Sequence, residues 1–311
     1  MTKFWESIFW KVFSCACFAG INGLVRYLSG GSSLHLSQKL PIHTIMFYQH
    51  LFGALILSFF IVPKLSLAQL RQAQPGMHLF RVAIAAIAIA IWNQSLKHIP
   101  MTQVVALSFI APVLTVLGSV VLLKEDFNFY RKIAVALGLM GSFMMTRPDQ
   151  GIGATSEYGW YVLLPIGASL IFASDKLICR KLLIANTPPM LLAWYLLVFL
   201  TPMCFFANAI FGWVNLTSDN LFFLVLLGVL TALAHQAFSK AYSLAEVTFL
   251  LPFGASKIIL SAFVSFIAFG EFPRSWDMTI GVVIITISAI ILQLKPKSKA
   301  QQEINFKELR A

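Results

Sequence analysis

Two 27-residue stretches decide the reading of this chain: Ile99–Glu125, IPMTQVVALSFIAPVLTVLGSVVLLKE, and Ala245–Glu271, AEVTFLLPFGASKIILSAFVSFIAFGE, which superpose after a shift of 146 residues. Each is predominantly apolar over more than the ~20 residues that a helix needs to cross a hydrocarbon core, and each ends in a glutamate. The likeness continues beyond it with a short loop, an aromatic (Tyr130 or Trp276), an apolar span with an early glycine (Gly138 or Gly281) and a closing basic-proline pair (Arg147-Pro148 or Lys295-Pro296). Upstream, Asn22–Arg26 resembles Asp175–Arg180 with a one-residue slip. The chain reads as an internal repeat of membrane-spanning elements.

Composition agrees. Of 311 residues, 59% are hydrophobic and only 11% charged, with mean hydropathy +0.81, which excludes a water-facing surface of ordinary kind. Barrel strands would alternate apolar and polar residues, whereas Val82–Trp92 and Leu221–Leu233 are apolar on every face, so the spans are helices. Cutting at proline, glycine and charge clusters predicts spans near 4–29, 42–62, 77–97, 101–123 and 129–147, then 158–181, 190–211, 219–242, 246–270 and 275–294. The first stretch, Phe4–Leu28, is too long for a signal-peptide core and is expected to stay as the first span.

The expected fold is therefore all-α and integral to the membrane, with ten transmembrane helices arranged as two inverted five-helix repeats. The boundaries are 1–148 for the first repeat, 149–157 for a connecting loop, 158–295 for the second repeat and 296–311 for a basic cytoplasmic tail. Because five is odd, the second copy must enter the membrane in the opposite orientation, which creates a pseudo-twofold axis in the membrane plane and implies alternating access to a midplane cavity. Sixteen of the 23 Lys and Arg fall on the side of the termini, five on the other and two, Lys176 and Lys257, within spans. By the positive-inside rule both termini are cytoplasmic, in a cell inner membrane. The net charge of +11 is thus read as orientation rather than nucleic-acid binding, with the tail lying near anionic headgroups.

Several residues carry a resemblance: Arg81 at the start of the third span, Trp92-Asn93-Gln94-Ser95-Leu96 near its end, Pro112, Lys124-Glu125, Lys240-Ala241, Pro252 and Gly270-Glu271-Phe272-Pro273. Over roughly residues 5 to 295 the chain resembles ten-span members of the drug/metabolite transporter superfamily, of the EamA type, and within them bacterial S-adenosylmethionine uptake carriers. The resemblance implies a transporter and leaves substrate and direction open, since the family includes exporters of amino acids and drugs as well as importers.

Charge at membrane depth costs about 3 kcal/mol and so marks a partner, a wet cavity or a purpose. Lys257 and Asp175 stand inside predicted spans and are candidates to bind the opposite charges of a zwitterionic metabolite, amino acid or S-adenosylmethionine-like, or to pair with each other. His50 and His235, each beside a glutamine, together with Asn22, Trp92 and Asn93, are candidates for the same cavity or for interhelical packing. The six histidines lack His-x-x-x-His or His-x-x-Glu spacing and the four cysteines lie in apolar stretches, so no metal, cofactor or enzyme activity is expected. The expected partners are a small-molecule substrate and the lipid bilayer, with a proton or an exchanged metabolite as coupling species, in a monomer or homodimer.

Overall fold

The computed structural model describes residues 2–31, 38–64, 75–108, 110–111, 114–115, 118, 129–146, 159–185, 187–245, 250, 252–270 and 276–291. Pro112, Glu125, the connecting loop 149–157, Glu271 and the tail 296–311 lie outside the described residues.

The described chain is helical: α1 (Thr2–Leu28), α2 (Ile42–Ile61), α3 (Pro75–His98), α4 (Met101–Leu107), α5 (Phe129–Thr146), α6 (Leu163–Ile184), α7 (Pro189–Phe211), α8 (Ser218–Leu244), α9 (Ser256–Phe269) and α10 (Trp276–Ile291). Six helical stretches are long and apolar enough to cross a membrane: Trp5–Leu28, Ile42–Ile61, Gly76–His98, Gly159–Leu183, Pro189–Phe211 and Ser218–Leu244. Their outward faces carry large apolar side chains, among them Phe59, Ile210, Phe211, Phe222 and Ile87, the surface that lipid requires.

Elsewhere short residues let helices approach. Gly53 and Gly228 face each other where α2 crosses α8, and a Cβ on Gly228 would meet Gly53 N at 3.1 Å. On α5, Ala134 and Gly138 pack on α10, where Ser288 Oγ donates to Ala134 O at 2.6 Å. On α3 the buried stripe is Val82, Ala85 and Ala88, while Ala83, Ala86 and Ala90 are only partly buried.

Packing follows a pattern. Among the helix pairs in contact are α1 with α8 and α3 with α6, α2 with α8 and α3 with α7, and α1 with α9 and α4 with α6, while α2 packs on α7 and α5 on α10. Exchanging α1–α5 for α6–α10 carries each of these pairs into another on the same roll or into itself.

One expectation needs correction. The span read as continuous from 246 to 270 is interrupted by a 3-10 turn at Pro252–Ala255, and α9 begins only at Ser256. Proline lacks the amide needed for an unbroken helix and clashes with the preceding turn. Lys257 is therefore the second residue of a helix that starts inside the molecule, not the middle of a long one.

Candidate functional site

A cavity of about 210 Å³ lies among α1, α3, α6 and α8, with contributions from α2, α7 and α9 and from Ser108 and Ala111 beyond the end of α4. Each of the four main helices offers one face at helical spacing: Lys11, Ser14, Cys15, Phe18 and Asn22 on α1; Arg81, Ala85, Ile89, Trp92 and Asn93 on α3; Ser169, Phe172, Asp175, Lys176 and Cys179 on α6; and His235, Phe238, Ser239 and Tyr242 on α8. All seven residues singled out in the sequence (Asn22, His50, Trp92, Asn93, Asp175, His235 and Lys257) line it.

The centre is aromatic. Lys257 Nζ sits 4.4 Å from the centroid of the Trp92 ring and 5.5 Å from that of Phe18, cation–π distances that stabilise an ammonium without neutralising it. Trp92 Nε1 donates to Asn22 Oδ1 at 3.0 Å, which fixes the indole against α1, and Phe172 meets the same ring edge-on at 6.0 Å. His235 meets Phe18 edge-on at 5.3 Å.

The expected pairing of Asp175 with Lys257 is not formed. Asp175 Oδ1 instead lies 2.9 Å from Arg81 Nε, joining α6 to α3, and Lys257 has no carboxylate partner among the described residues. Arg81 had been counted as a flanking cation; it is 2% exposed, and Lys11, counted likewise, is 7% exposed. Lys11 Nζ donates to Tyr242 Oη at 3.3 Å and stands 4.8 Å from the Tyr242 centroid and 5.2 Å from that of Phe238. Lys176, placed within a span by the charge tally, also lines the cavity. The signal for Arg81 and Lys11 was present: each shares a helical face, eleven residues away, with Trp92 or Asn22.

The two histidine-glutamine pairs behave differently from one another. Gln49 Nε2 donates to Thr231 Oγ1 at 3.0 Å, a lock between α2 and α8. His50 Nδ1 lies 2.6 Å from Met46 O on its own helix, and its Nε2 has no partner among the described residues. Nor does Asn22 Nδ2, Asn93 Nδ2 or Gln236 Oε1. Such buried groups ordinarily find partners, and those of Asn22, His50 and Asn93 belong to the cavity wall. No cluster of three metal-ligating side chains occurs among the described residues, and the four cysteines are free.

The 146-residue shift maps the wall onto itself. Ile89 goes to His235, Trp92 to Phe238, Asn93 to Ser239, Ser108 to Gly254 and Ala111 to Lys257, and every one of these ten residues lines the cavity. The ninth span is broken at Pro252–Ala255; the equivalent point in the fourth is the end of α4, at Leu107 and Ser108.

Among the described residues, the apolar clusters around the cavity differ in size. On one side, away from the start of α1, a single large apolar cluster includes Val25, Leu28, Leu40, Ile42, Ile45, Leu96, Ile99, Met101 and Val104. There Arg26 Nη1 donates to Leu96 O at 3.1 Å and also to Ile99 O, tying α1 to the end of α3. Towards the start of α1, the corresponding second-half residues form small separate clusters: Ala241, Tyr242 and Leu250; Leu191 and Tyr195; and Cys179, Leu182 and Leu192.

Comparison with known proteins adds chemistry to this geometry. The EamA-like transporter family matches residues 8–147. The chain is 28% identical over 309 residues to a riboflavin transporter of Vibrio cholerae, covering 97% of both proteins. It is 28% identical to a riboflavin transporter of Rhizobium johnstonii, covering 91% of this chain and 90% of that protein. It is 24% identical to an S-adenosylmethionine uptake transporter of Rickettsia prowazekii, covering 87% and 89%. A crystal structure of a protein with 16% identity superposes with a TM-score of 0.67 over 94% of this chain and 97% of that one, a likeness of fold.

Proposed function

We propose that this chain, whose residues 8–147 match the EamA-like transporter family and which has long apolar helices and relatives named as transporters, moves a small metabolite with a planar heteroaromatic ring across the cell inner membrane by alternating access. The observation that carries this reading is the aromatic slot itself. Trp92, held by Asn22, presents a ring face beside Lys257, with Phe18 and Phe172 around it and unsatisfied polar groups on His50, Asn22 and Asn93. A ring stacks on such a wall, and its heteroatoms meet the free donors and acceptors.

Relatives named for riboflavin fit that slot. The zwitterion expected from Asp175 and Lys257 fits it less well, since Asp175 is already engaged by Arg81. The same site on the same fold would also serve export of a drug or an amino acid.

Two observations support ten spans in two inverted repeats, 1–148 and 158–295. Helix neighbours are retained on exchange of the halves, and five residue pairs related by the 146-residue shift meet at one cavity. An axis passing through the site gives this result. The large cluster and the Arg26 contacts on the side of Leu28 fit one state of a two-state device, closed on that side. With both termini cytoplasmic, that state faces inward.

The test is uptake into proteoliposomes followed by flavin fluorescence. Saturable entry of riboflavin, lost in Trp92→Leu and weakly inhibited by S-adenosylmethionine, is expected. Absence of saturable flavin entry in a correctly folded preparation would overturn the substrate class.

A further inference from the structure

The cavity wall contains four cations, Lys11, Arg81, Lys176 and Lys257, and one carboxylate, Asp175. The Arg81–Asp175 pair at 2.9 Å neutralises itself. Three ammonium groups remain, contributed by three different helices, α1, α6 and α9. None of them forms an ion pair with a carboxylate among the described residues, and Lys176 lies within electrostatic range of both of the others as well as of Asp175, which Arg81 engages. What the protein supplies to Lys11 and Lys257 is aromatic: the faces of Phe238 and Tyr242 for the first, with the Tyr242 hydroxyl, and those of Trp92 and Phe18 for the second. Aromatic faces hold a cation in place but leave its charge uncancelled, so the empty cavity carries a surplus of positive charge in surroundings of low dielectric, where like charges repel strongly.

We infer that the ligand of this cavity carries a negative group, a phosphate or carboxylate that docks on Lys176 and Lys257, while its ring stacks on Trp92. The inference rests on the reading of the cavity as a transport site and narrows its substrate class to anionic heterocycles. It disfavours cations outright: a sulfonium ion or an unpaired ammonium entering the same space adds to the repulsion. A neutral ring compound meets neither penalty nor gain from the lysines. An anion neutralises them and forms charge-assisted hydrogen bonds from their ammonium groups.

The experiment uses the purified full-length transporter in detergent at low salt, with three probes: riboflavin, riboflavin 5′-phosphate and inorganic phosphate. Flavin affinity is read from fluorescence quenching and phosphate binding from the thermal unfolding temperature. The phosphate ester should bind at least about 10-fold more tightly than riboflavin, and the ratio should fall towards one in Lys176→Gln and Lys257→Gln and at high salt. Independently of any ligand, Lys176→Gln should raise the unfolding temperature of the empty protein, because it removes a like charge, whereas loss of a merely structural lysine would lower it.

Equal or tighter binding of riboflavin, or a preference unaffected by both lysine substitutions, overturns the inference and leaves the transport reading standing. If neither flavin binds but inorganic phosphate stabilises the parent and not Lys176→Gln, the flavin class falls and the anion site is supported. If none of the three probes acts and Lys176→Gln is destabilising, the inference fails.

Discussion

Neutralising Asp175 isolates the strongest electrostatic contact of the cavity. Arg81 is 2% exposed and Asp175 15%, with 2.9 Å between Nε and Oδ1. Asp175→Asn leaves the guanidinium buried without a counter-charge, and the three lysines of the same wall aggravate its position. Orphaning one partner of a buried pair costs about 3–5 kcal/mol. Because the carboxylate retains some exposure, the lower end applies, about 3 kcal/mol. Arg81→Met should cost less, since the freed carboxylate stays in a wall rich in ammonium groups. The double substitution removes both charges, so it should recover to within about 1–2 kcal/mol of the parent, a coupling of about 2 kcal/mol or more. Thermal unfolding in detergent, reported by a thiol-reactive fluorophore on the four buried cysteines, measures all four corners of the cycle. A 3 kcal/mol loss corresponds to a drop of roughly 6–12 °C for a chain of this size class. Two single substitutions whose effects simply add, or an Asp175→Asn protein as stable as the parent, would refute the ion pair as the joint between α3 and α6.

Further outcomes follow from the same coordinates. Gln49→Leu removes the donor to Thr231 between α2 and α8 and should lower stability by about 0.6–1.7 kcal/mol, the range for interhelical hydrogen bonds in membranes, seen as a lowered unfolding temperature. Gly228→Val drives a branched side chain into Phe52 and the Gly53 backbone and should cost about 1–3 kcal/mol by overpacking, seen as a lowered unfolding temperature. Lys257→Met keeps the stem over Trp92 and removes the charge; it should fold normally and lose flavin-phosphate binding, and a parent-like transport rate would make the lysine a packing residue. Arg26→Met frees the carbonyls of Leu96 and Ile99 at the packed side. It should raise modification of introduced cysteines at Leu28 and Leu96 by membrane-impermeant reagents, reporting a loosened seal.

Much of the helical layout was legible because hydropathy in a membrane chain is set by length and solvent. Each of the six long apolar stretches falls within a few residues of a segment cut at proline, glycine and charge. The break at Pro252–Ala255 was missed, although Pro252 and Gly254 were in view, because a window of hydropathy averages over a turn that interrupts hydrogen bonding but not apolarity. Arg81 and Lys11 were missed as cavity residues for a related reason. Near a helix end the charge rule assigns a cation to the interface, whereas its helical face assigns it to the interior, and here the face prevails: Arg81 lies on the line of Ala85, Ile89 and Trp92.

Partners could not be read from the chain at all. Asp175 and Lys257 were matched by sign, yet the actual distances pair Asp175 with Arg81 and lay Lys257 on Trp92. The break in the ninth span explains the second contact. By beginning α9 at Ser256, it sets Lys257 in the first turn of a helix that starts against α1 and α3. The repeat places Ala111 at the equivalent point of the first half, also on the cavity wall. The two halves thus bring the same position to the site and fill it differently, a methyl group in one and an ammonium in the other. On the proposed alternating-access reading, the repeated scaffold would supply the motion and the residues that differ between its halves the selectivity; Lys257 against Ala111 is the largest such difference of charge among the paired wall positions.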